Sequence, residues 1–505
     1  MMNGMTRGMR LSLVVAMTAA GLAAVDAKAC SGLYVGRAVS ADGLTLLART
    51  VDSVPATCKR FEILPAVTNR TGRHYSSTDT GAEWPLPPST YKAVTVPSVA
   101  WEKYGRYEGA CANEKGLMIT GTVTGYPNAA ATNADPYVEA GFGEGSLPGL
   151  LISCSATARE AIELFGKVVA ARGHAGGEIY MFADKDEAWY LEVYTGHQWA
   201  AVRMPEDCVM VIGNRFMLRE FDPASPDALC SEGLVKVPER GGFLKRGERG
   251  LIDLAKTYAL ELDDDAAMRV WMGHRRFAPA TAGKYTRERV LPLFYRPERK
   301  VSLREIQETM RWRYEGTEMC PETSGNRNVR TIGVGRQSTC HVMSVDPTLP
   351  PDRRCTLWVT LSNAEHAPYL PLNAAMTALA SGYDVSDPHA REVFNASIPA
   401  MHFRRLAALA ELDRGLFGTN VRGFWRTRED AWMREFAQVV RNGDATAITA
   451  CAVQIQRTAL EDAKRLFDEL SWYVVKMNFI PGDYCDPKFL PKRDPFVPGL
   501  NRQMR

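Results

Sequence analysis

Two runs of branched apolar residues near the start of the chain are separated by a turn pattern. Leu33–Val39 and Leu44–Val51 carry these residues, and Ala41-Asp42-Gly43 lies between them. Short apolar runs joined by an Asp-Gly turn are typical of a β-hairpin. The pattern therefore predicts two antiparallel strands, which bring Arg49 back toward Cys30.

Farther along, the apolar period changes from helical to strand-like. Thr157–Arg172 opens with a capping box, carries an apolar stripe at helical spacing and is followed by Gly173. Four predicted strands separated by turns follow, at Glu178–Ala183, Ala188–Tyr194, Gln198–Arg203 and Cys208–Gly213. A helix between sets of antiparallel strands predicts an α+β fold with layered packing.

The remaining patterns divide the chain into further segments. Residues 53–100 are rich in Pro, Thr and Ser and are predicted to form loops around short strands, whereas residues 220–330 are predicted to be mostly helical. Strands are predicted near residues 341–345 and 356–361. From Ala400 onward the pattern is helical, with one helix opening at Thr427 and a long one over Thr446–Lys476. We expect an α+β domain over residues 30–375 and a helical C-terminal region over residues 376–505.

The first 29 residues have the pattern of a signal peptide. Arg7 and Arg10 precede an almost entirely apolar stretch, Leu11–Val25, and Ala27-Lys28-Ala29 matches a small-x-small cleavage site. Cleavage there leaves 476 residues beginning with Cys30. We therefore expect a protein exported to the periplasm or the extracellular space.

Composition and charge exclude several classes of partner. Hydrophobic residues make up 46% of the chain and charged residues 24%, which is ordinary for a globular protein. The net charge of +3 is too small to indicate nucleic acid or an anionic surface as a partner. After residue 30 no apolar run approaches the ~20 residues that span a bilayer, so no membrane association is expected after signal removal. The sequence leaves the oligomeric state open, with a homo-oligomer as one option.

Eleven cysteines occur in the chain, and setting Cys30 aside leaves an even number. Export to an oxidising compartment predicts at least one disulfide among them, with buried free thiols as the alternative. The chain contains neither a CxxC motif nor the Cys/His spacing that is typical of zinc sites. No metal is therefore expected. His341, next to Cys340, is expected to be structural.

A cysteine at a new N-terminus carries a thiol and an α-amine on the same residue. The amine titrates near ~7.7–8.0, so it can take the thiol proton at neutral pH and return it to a leaving amine. A guanidinium from Arg49 would favour the thiolate. A carboxylate from Asp52 could hold the α-amine or the guanidinium in place.

This constellation resembles peptidase family C69 among the N-terminal nucleophile hydrolases, and it shares the Cys and Arg-x-x-Asp core of penicillin V acylases and bile salt hydrolases. The matching stretches are Cys30, Val35-Gly36, Asp42-Gly43, Ala48–Asp52, Asp184–Glu192, Gly196–Ala201 and Ile212–Arg215. The resemblance implies a four-layer αββα sandwich. It also implies a cysteine dipeptidase that acts on small peptides through a thioester intermediate and needs no cofactor.

The resemblance further implies oxyanion-stabilising asparagines. Asn113 lies in an Asn-Glu-x-Gly turn before an apolar strand, and Asn214 follows a strand. An amide aimed at the scissile oxygen would stabilise its developing charge. The alternative for Asn113 is a plain turn residue, and for Asn214 a structural residue at a strand end. Arg330 resembles a further site arginine only loosely and is given no role.

Two other functions stay open from the sequence. One is a linear amide C–N hydrolase of the penicillin V acylase and bile salt hydrolase type, which the Arg-x-x-Asp core alone does not separate from a dipeptidase. The other is a non-catalytic exported binding protein with Cys30 in a disulfide. The spacing of Arg49 and Asp52 on the predicted hairpin favours the enzyme.

Overall fold

The computed structural model of the 505-residue chain describes residues 30–53, 56–260, 264–325, 329–476 and 498. The predicted signal peptide, residues 1–29, lies outside these ranges, as does Cys485. Within the described ranges, no helix is both long enough and apolar enough to cross a membrane.

The strands of the described residues form two large sheets and one small one. They are β1 (Gly32–Val35), β2 (Thr45–Asp52), β3 (Glu62–Leu64), β4 (His74–Ser76), β5 (Glu83–Pro85), β6 (Ala93–Thr95), β7 (Ala110–Asn113), β8 (Met118–Thr124), β9 (Glu178–Ala183), β10 (Ala188–Val193), β11 (Trp199–Arg203), β12 (Val209–Ile212), β13 (Ala228–Cys230), β14 (Gln337–Val345), β15 (Cys355–Thr360) and β16 (Leu370–Asn373). A six-stranded sheet has the order β12-β1-β2-β14-β15-β16, and an eight-stranded sheet has the order β13-β11-β10-β9-β8-β7-β6-β3. Both are antiparallel throughout.

The helices of the described residues range from single turns to a long C-terminal helix. They are α1 (Trp101–Tyr104), α2 (Ala129–Ala134), α3 (Leu147–Cys154), α4 (Ala158–Arg172), α5 (Lys236–Arg240), α6 (Leu254–Tyr258), α7 (Asp264–Phe277), α8 (Pro279–Ala282), α9 (Leu303–Arg311), α10 (Pro321–Ser324), α11 (Pro351–Arg354), α12 (Pro399–Leu412), α13 (Thr419–Asn442) and α14 (Ala445–Lys476). A π-helical turn, Arg414–Gly418, joins α12 to α13.

The two large sheets face each other, and helices cover their outer faces. Strand β2 contacts β8 and β9, and β15 contacts β7, across the interface between the sheets. Helices α3 and α4 pack on strands of the eight-stranded sheet, while α7 and α9 pack on strands of the six-stranded sheet. Each sheet thus buries one face against the other sheet and its second face under helices. This arrangement confirms the α+β, four-layer αββα sandwich that the resemblance implied.

The N-terminal hairpin is formed as predicted. Strands β1 and β2 pair antiparallel, with Gly32 opposite Arg49. All four residues of β1 are buried, because it lies inside the six-stranded sheet between β2 and β12. The hairpin therefore carries Arg49 to the beginning of β1, where Cys30 lies.

The helix and the four strands predicted after residue 157 are also confirmed. The Thr157 hydroxyl accepts a hydrogen bond of 3.2 Å from the backbone N–H of Glu160 and so caps α4. The helix ends at Gly173, whose φ of 74° lies in the left-handed region that favours glycine. The four predicted strands are β9 to β12, with bounds that differ by at most one residue at each end.

Two of the helical predictions are wrong. Between residues 220 and 330, the described helices are short apart from α7, and loops connect them. Helix α13 begins at Thr419 and not at Thr427. Thr427 lies inside the helix, where its hydroxyl donates to the carbonyl of Gly423 at 3.2 Å instead of capping a helix start.

The C-terminal helices pack against the six-stranded sheet and its helical layer. Helix α14 contacts the edge strand β16. Arg311 at the end of α9 forms a buried ion pair with Glu429 of α13. The boundary between a domain at 30–375 and a helical region at 376–505 stays a prediction.

The predicted disulfide is not found among the described cysteines. All ten cysteines in the described part of the chain are free. Cys111, Cys340 and Cys355 are buried in strands, where a free thiol packs as a small apolar residue. Burial in the core therefore replaces cross-linking for these residues.

Candidate active site

A cavity of about 250 Å³ lies beside the beginning of β1. Its lining includes Cys30, Arg49 and Asp52, the three residues that the hairpin pattern had placed together. Cys30 is only 4% exposed. A thiol, a guanidinium and a carboxylate thus line one small cavity.

Arg49 directs its guanidinium at the Cys30 thiol. Its Nη1 lies 3.7 Å from the Cys30 Sγ and also donates to the carbonyl of Thr122. Its Nη2 donates to the carbonyl of Gly109 at 3.3 Å. A Cβ on Gly109 would lie 2.5 Å from that Nη2, so only glycine leaves room for the guanidinium here. Carbonyls from two other segments therefore hold Arg49 at the thiol.

The backbone next to Cys30 is fixed to strand β2. The N–H of Ser31 donates to the Thr50 hydroxyl at 2.9 Å, and the N–H of Thr50 donates to the carbonyl of Ser31 at 3.0 Å. The same hydroxyl donates to Asp52 Oδ2 at 3.3 Å. Thr50 therefore connects Ser31, the residue after Cys30, to the Asp52 carboxylate.

The electrostatic environment leaves the thiol in need of a base. Burial raises the pKa of Cys30 above its ordinary value, and the charge of Asp52 adds to that rise. The Arg49 guanidinium opposes the rise and is the largest factor that lowers this pKa. In the uncut chain the nitrogen of Cys30 is an amide joined to Ala29, so it cannot accept the proton.

Asp52 is fully buried and paired with Arg330. Arg330 Nη2 contacts Oδ2, whereas Oδ1 is buried and has no hydrogen-bond partner among the described residues. Burial raises the pKa of Asp52, and Arg330 acts against that rise. Arg330, which the sequence marked only by a loose resemblance, thus contacts Asp52, the aspartate of the Arg-x-x-Asp motif.

The sequence analysis missed Arg269 of helix α7. Arg269 is buried, and its Nη1 donates to the carbonyl of Cys30 at 2.5 Å and to the Ser31 hydroxyl at 3.2 Å. Its Nη2 donates to Asn214 Oδ1 at 2.9 Å. Arg269 therefore fixes the carbonyl of Cys30 and joins it to Asn214.

A signal for Arg269 was present in the sequence. Ala266, Arg269, Val270 and Gly273 recur at helical spacing, so the arginine occupies a position on the apolar face of α7. A charge on a buried helix face needs a partner. The partners of Arg269 include the Cys30 carbonyl, the Ser31 hydroxyl and the Asn214 side chain, and periodicity does not identify them.

Asn214 is connected to Cys30 through one side chain, that of Arg269. Its Nδ2 donates to the carbonyl of Thr124 at 3.1 Å, and its Oδ1 accepts from Arg269. The position after strand β12 is therefore linked to Cys30 through Arg269. The oxyanion role stays a prediction.

Asn113 makes structural hydrogen bonds with both ends of its side-chain amide, and the oxyanion role suggested for it stays a prediction. Its Nδ2 donates to the carbonyls of Ile152 and Ser155, both at 2.8 Å. Its Oδ1 accepts from the N–H groups of Lys115 and Leu117. Both amide hydrogens are used at the end of helix α3. These contacts match the plain-turn alternative that the sequence left open.

His341 lies in β14, directly opposite Arg49 of β2. Its Nε2 shares a hydrogen bond of 2.7 Å with the Thr120 hydroxyl. Burial and the neighbouring charges of Arg49 and Lys59 hold its pKa well below the ordinary value. The imidazole is therefore neutral at pH 7 and supports the wall of the site.

One cluster away from the cavity has side chains that could ligate a metal. The ligand atoms of Glu365, His366 and Glu411 lie within 4.8 Å of one another. Arg313 forms ion pairs with both glutamates, and Arg414 forms another with Glu365. The carboxylates are thus already neutralised by arginines, and the donor set fits an ion-pair network between loops and C-terminal helices.

Residues 29–424 match peptidase family C69. The "Probable dipeptidase B" of Streptococcus pyogenes serotype M1 is 29% identical over 376 residues, which cover 72% of this chain and 75% of that protein. The "Probable dipeptidase" of Salmonella dublin is 30% identical over 383 residues, which cover 74% of this chain and 87% of that protein. Among solved structures, a mutant conjugated bile acid hydrolase from Clostridium perfringens aligns with 36% of this chain and 52% of its own at 14% identity, with a TM-score of 0.23.

The family match covers most of the chain and every described residue of the Cys30 cavity. The relatives also cover most of this chain at about the same identity. The protein therefore belongs to peptidase family C69.

Proposed function

We propose that the protein is an exported cysteine dipeptidase whose nucleophile is the N-terminal Cys30 left by signal-peptide cleavage. The observation that carries the proposal is the buried Cys30 thiol, with the Arg49 guanidinium 3.7 Å from its sulfur. The signal-like pattern that ends at Ala29 supports cleavage directly before this residue. Membership of a peptidase family and the dipeptidase relatives support the reaction class.

Cleavage would supply the base that the buried thiol lacks. The new α-amine takes the thiol proton, and the thiolate attacks the carbonyl carbon of the peptide bond. In this proposal the resulting ammonium donates a hydrogen bond to Asp52 Oδ1, which is buried without a partner among the described residues, while Arg330 holds the other oxygen. Arg49 stabilises the thiolate against the cost of burial.

The remaining steps return the site to its starting state. The ammonium donates its proton to the leaving amine as the C–N bond breaks, which leaves a thioester on Cys30. Water then attacks the thioester, with the amine again accepting a proton, and releases the free carboxylate and the thiol. Asn214 is our candidate for the oxyanion donor because Arg269 connects it to Cys30.

The size and polarity of the cavity favour a small peptide over an acyl amide with a large apolar group. Its volume of about 250 Å³ lies below the ~300–1,000 Å³ of typical small-molecule pockets. Its lining includes two basic side chains, Lys59 and Arg391, and one acidic side chain, Glu144, besides the residues of the proposed chemistry. A short peptide with free termini matches these charges, whereas an acyl chain does not.

The test uses protein that begins at Cys30 and protein that retains Ala27-Lys28-Ala29. Both are assayed with dipeptides, penicillin V and a glycine-conjugated bile salt. We expect dipeptide hydrolysis by the mature form, none by a stably extended form, and a loss of roughly 10⁴-fold or more in Cys30→Ala. Full activity of the extended form or of Cys30→Ala would overturn the mechanism. Preferential cleavage of the acyl amides would overturn the substrate class.

A further inference from the structure

Three charged side chains of the cavity have no part in the proposed chemistry. They are Lys59, Glu144 and Arg391, and all three line the same space as Cys30. They come from widely separated parts of the sequence. A dipeptide carries an ammonium and a carboxylate on the two carbons that flank its peptide unit, so each charge needs an opposite charge near the nucleophile.

Glu144 is placed close to the nucleophile. The Thr122 hydroxyl donates to its Oε2, and the Thr122 carbonyl accepts from Arg49. Glu144 lines the same cavity as Cys30, and its charge raises the pKa of the Cys30 thiol. Thr122 therefore contacts Glu144 through its hydroxyl and Arg49 through its carbonyl, on the side of the cavity where Arg49 meets Cys30.

Arg391 also lines the cavity and lies in the segment between β16 and α12. Its guanidinium carbon lies 3.7 Å from the centre of the Tyr104 ring, and the Tyr104 hydroxyl donates to Glu392 at 3.2 Å. Within the described part of the chain, the Arg391 guanidinium makes no ion pair and no hydrogen bond. A ring-stacked guanidinium is held in orientation while its N–H fork stays available for a carboxylate.

Lys59 is a weaker candidate for the carboxylate anchor. Its Nζ donates to the Ser98 hydroxyl at 3.2 Å and to the carbonyl of Tyr107 at 2.6 Å. These bonds tie it to the wall of the cavity. A substrate carboxylate would have to compete with them, whereas Arg391 would gain a partner.

We propose that Glu144 binds the α-ammonium and Arg391 binds the α-carboxylate of the substrate, so that the two residues restrict the site to peptides of two residues. This proposal rests on the proposed dipeptidase function. Each added residue moves a terminus by about 3.3–3.6 Å, which would leave the ammonium or the carboxylate away from its anchor. An uncompensated charge in the cavity weakens binding, so longer or blocked peptides are disfavoured.

The test compares one good dipeptide with its N-acetyl form, its C-terminal amide and the corresponding tripeptide. In the wild-type mature enzyme we expect kcat/KM for the free dipeptide to exceed that for each of the others by about 10- to 100-fold, the range of a charge-assisted contact. Arg391→Met should reduce the preference for the acid over the amide, mainly through KM. Glu144→Gln should reduce the preference for the free amine over the acetylated form.

Ratios between substrates separate binding from other effects. Glu144→Gln also alters the charge near the thiol, but that change affects all substrates alike and cancels in the ratio. Arg391→Lys, which keeps the charge, should retain part of the preference. Exposed Glu139→Gln and Arg434→Met serve as matched controls and should leave every ratio unchanged.

The outcomes distinguish this proposal from the function on which it rests. A wild-type enzyme that cleaves dipeptides but does not prefer free termini overturns the terminus anchors and leaves the dipeptidase intact. If Arg391→Met and Glu144→Gln each lower kcat/KM equally for free and blocked peptides, the terminus anchors are likewise overturned and the dipeptidase function is left intact. A mature protein that cleaves no dipeptide overturns both.

Discussion

Asp52 and Arg330 form a buried ion pair at the cavity of Cys30. The guanidinium contacts one carboxylate oxygen, and the other oxygen is buried without a hydrogen-bond partner in the described part of the chain. Such an oxygen is costly to bury unless something binds it. In our mechanism that group is the α-amine of the mature Cys30.

Asp52→Asn should lower kcat and move the acidic limb of the pH profile to lower pH. A carboxylate stabilises the ammonium and raises the amine pKa, so its removal lowers that pKa and leaves the amine a base in more acidic solution. The Asp52 charge also raises the Cys30 pKa, so the thiol shifts in the same direction. We expect at least about a tenfold loss of kcat. The pH dependence of kcat/KM measures this, and an unchanged profile would separate Asp52 from the base.

Arg49→Met should make the Cys30 thiol harder to ionise. Burial raises its pKa and Arg49 lowers it, so loss of the guanidinium leaves the raising effect and moves ionisation to higher pH. One unit of pKa corresponds to about a tenfold fall in thiolate at neutral pH.

The measurement is the rate of Cys30 alkylation against pH, followed by mass spectrometry of the N-terminal peptide. Arg49→Lys should be intermediate, because a point charge does not reproduce the planar fork. Identical midpoints for all three proteins would remove Arg49 from control of the thiol.

Gly109→Ala should lower activity although the substitution lies outside the chemistry. The new Cβ would lie 2.5 Å from Arg49 Nη2, so the guanidinium must shift from the thiol. We expect about a tenfold or larger loss of kcat and an alkylation midpoint displaced toward that of Arg49→Met.

Gly423→Ala is the matched control, because a Cβ there meets nothing within 4 Å inside helix α13. It should keep full activity and raise the free energy of unfolding by about 0.5–1 kcal/mol. If Gly109→Ala and Gly423→Ala have the same effects on activity and stability, the proposed clash between a Cβ at position 109 and the Arg49 guanidinium is contradicted.

Arg311→Met should destabilise the protein through the C-terminal helices. Arg311 is 2% exposed and Glu429 is fully buried, so the substitution removes one of the two arginines that pair with this carboxylate and leaves only Arg304. Removing one member of a buried ion pair costs about 3–5 kcal/mol. Urea unfolding followed by tryptophan fluorescence measures the change.

Arg426→Met tests whether burial is responsible. Arg426 pairs with Glu308 near the surface, where an ion pair contributes only about 0–1 kcal/mol. If both substitutions lower the free energy of unfolding by similar amounts, the buried ion pair between α9 and α13 stabilises the protein no more than an ion pair near the surface does. Two separate unfolding transitions in Arg311→Met would mark the C-terminal helices as an independent unit.

The sequence by itself determined the local elements and the centre of the site. The Asp-Gly turn and the strand lengths place Arg49 opposite Gly32, so the contact with Cys30 follows from one hairpin. The capped helix α4 was predictable for the same reason, because a cap and an apolar period act over a few residues.

Only the tertiary structure decided which distant residues join this centre. Arg269 contacts Cys30, Arg330 contacts Asp52, and Glu144 and Arg391 line the same cavity. Each of these positions depends on sheet order and layer geometry. The same packing turned Asn113 toward the end of α3, where backbone carbonyls consume its amide hydrogens. Periodicity reports which face of an element is buried, but the partner on the other side of the contact depends on the whole fold.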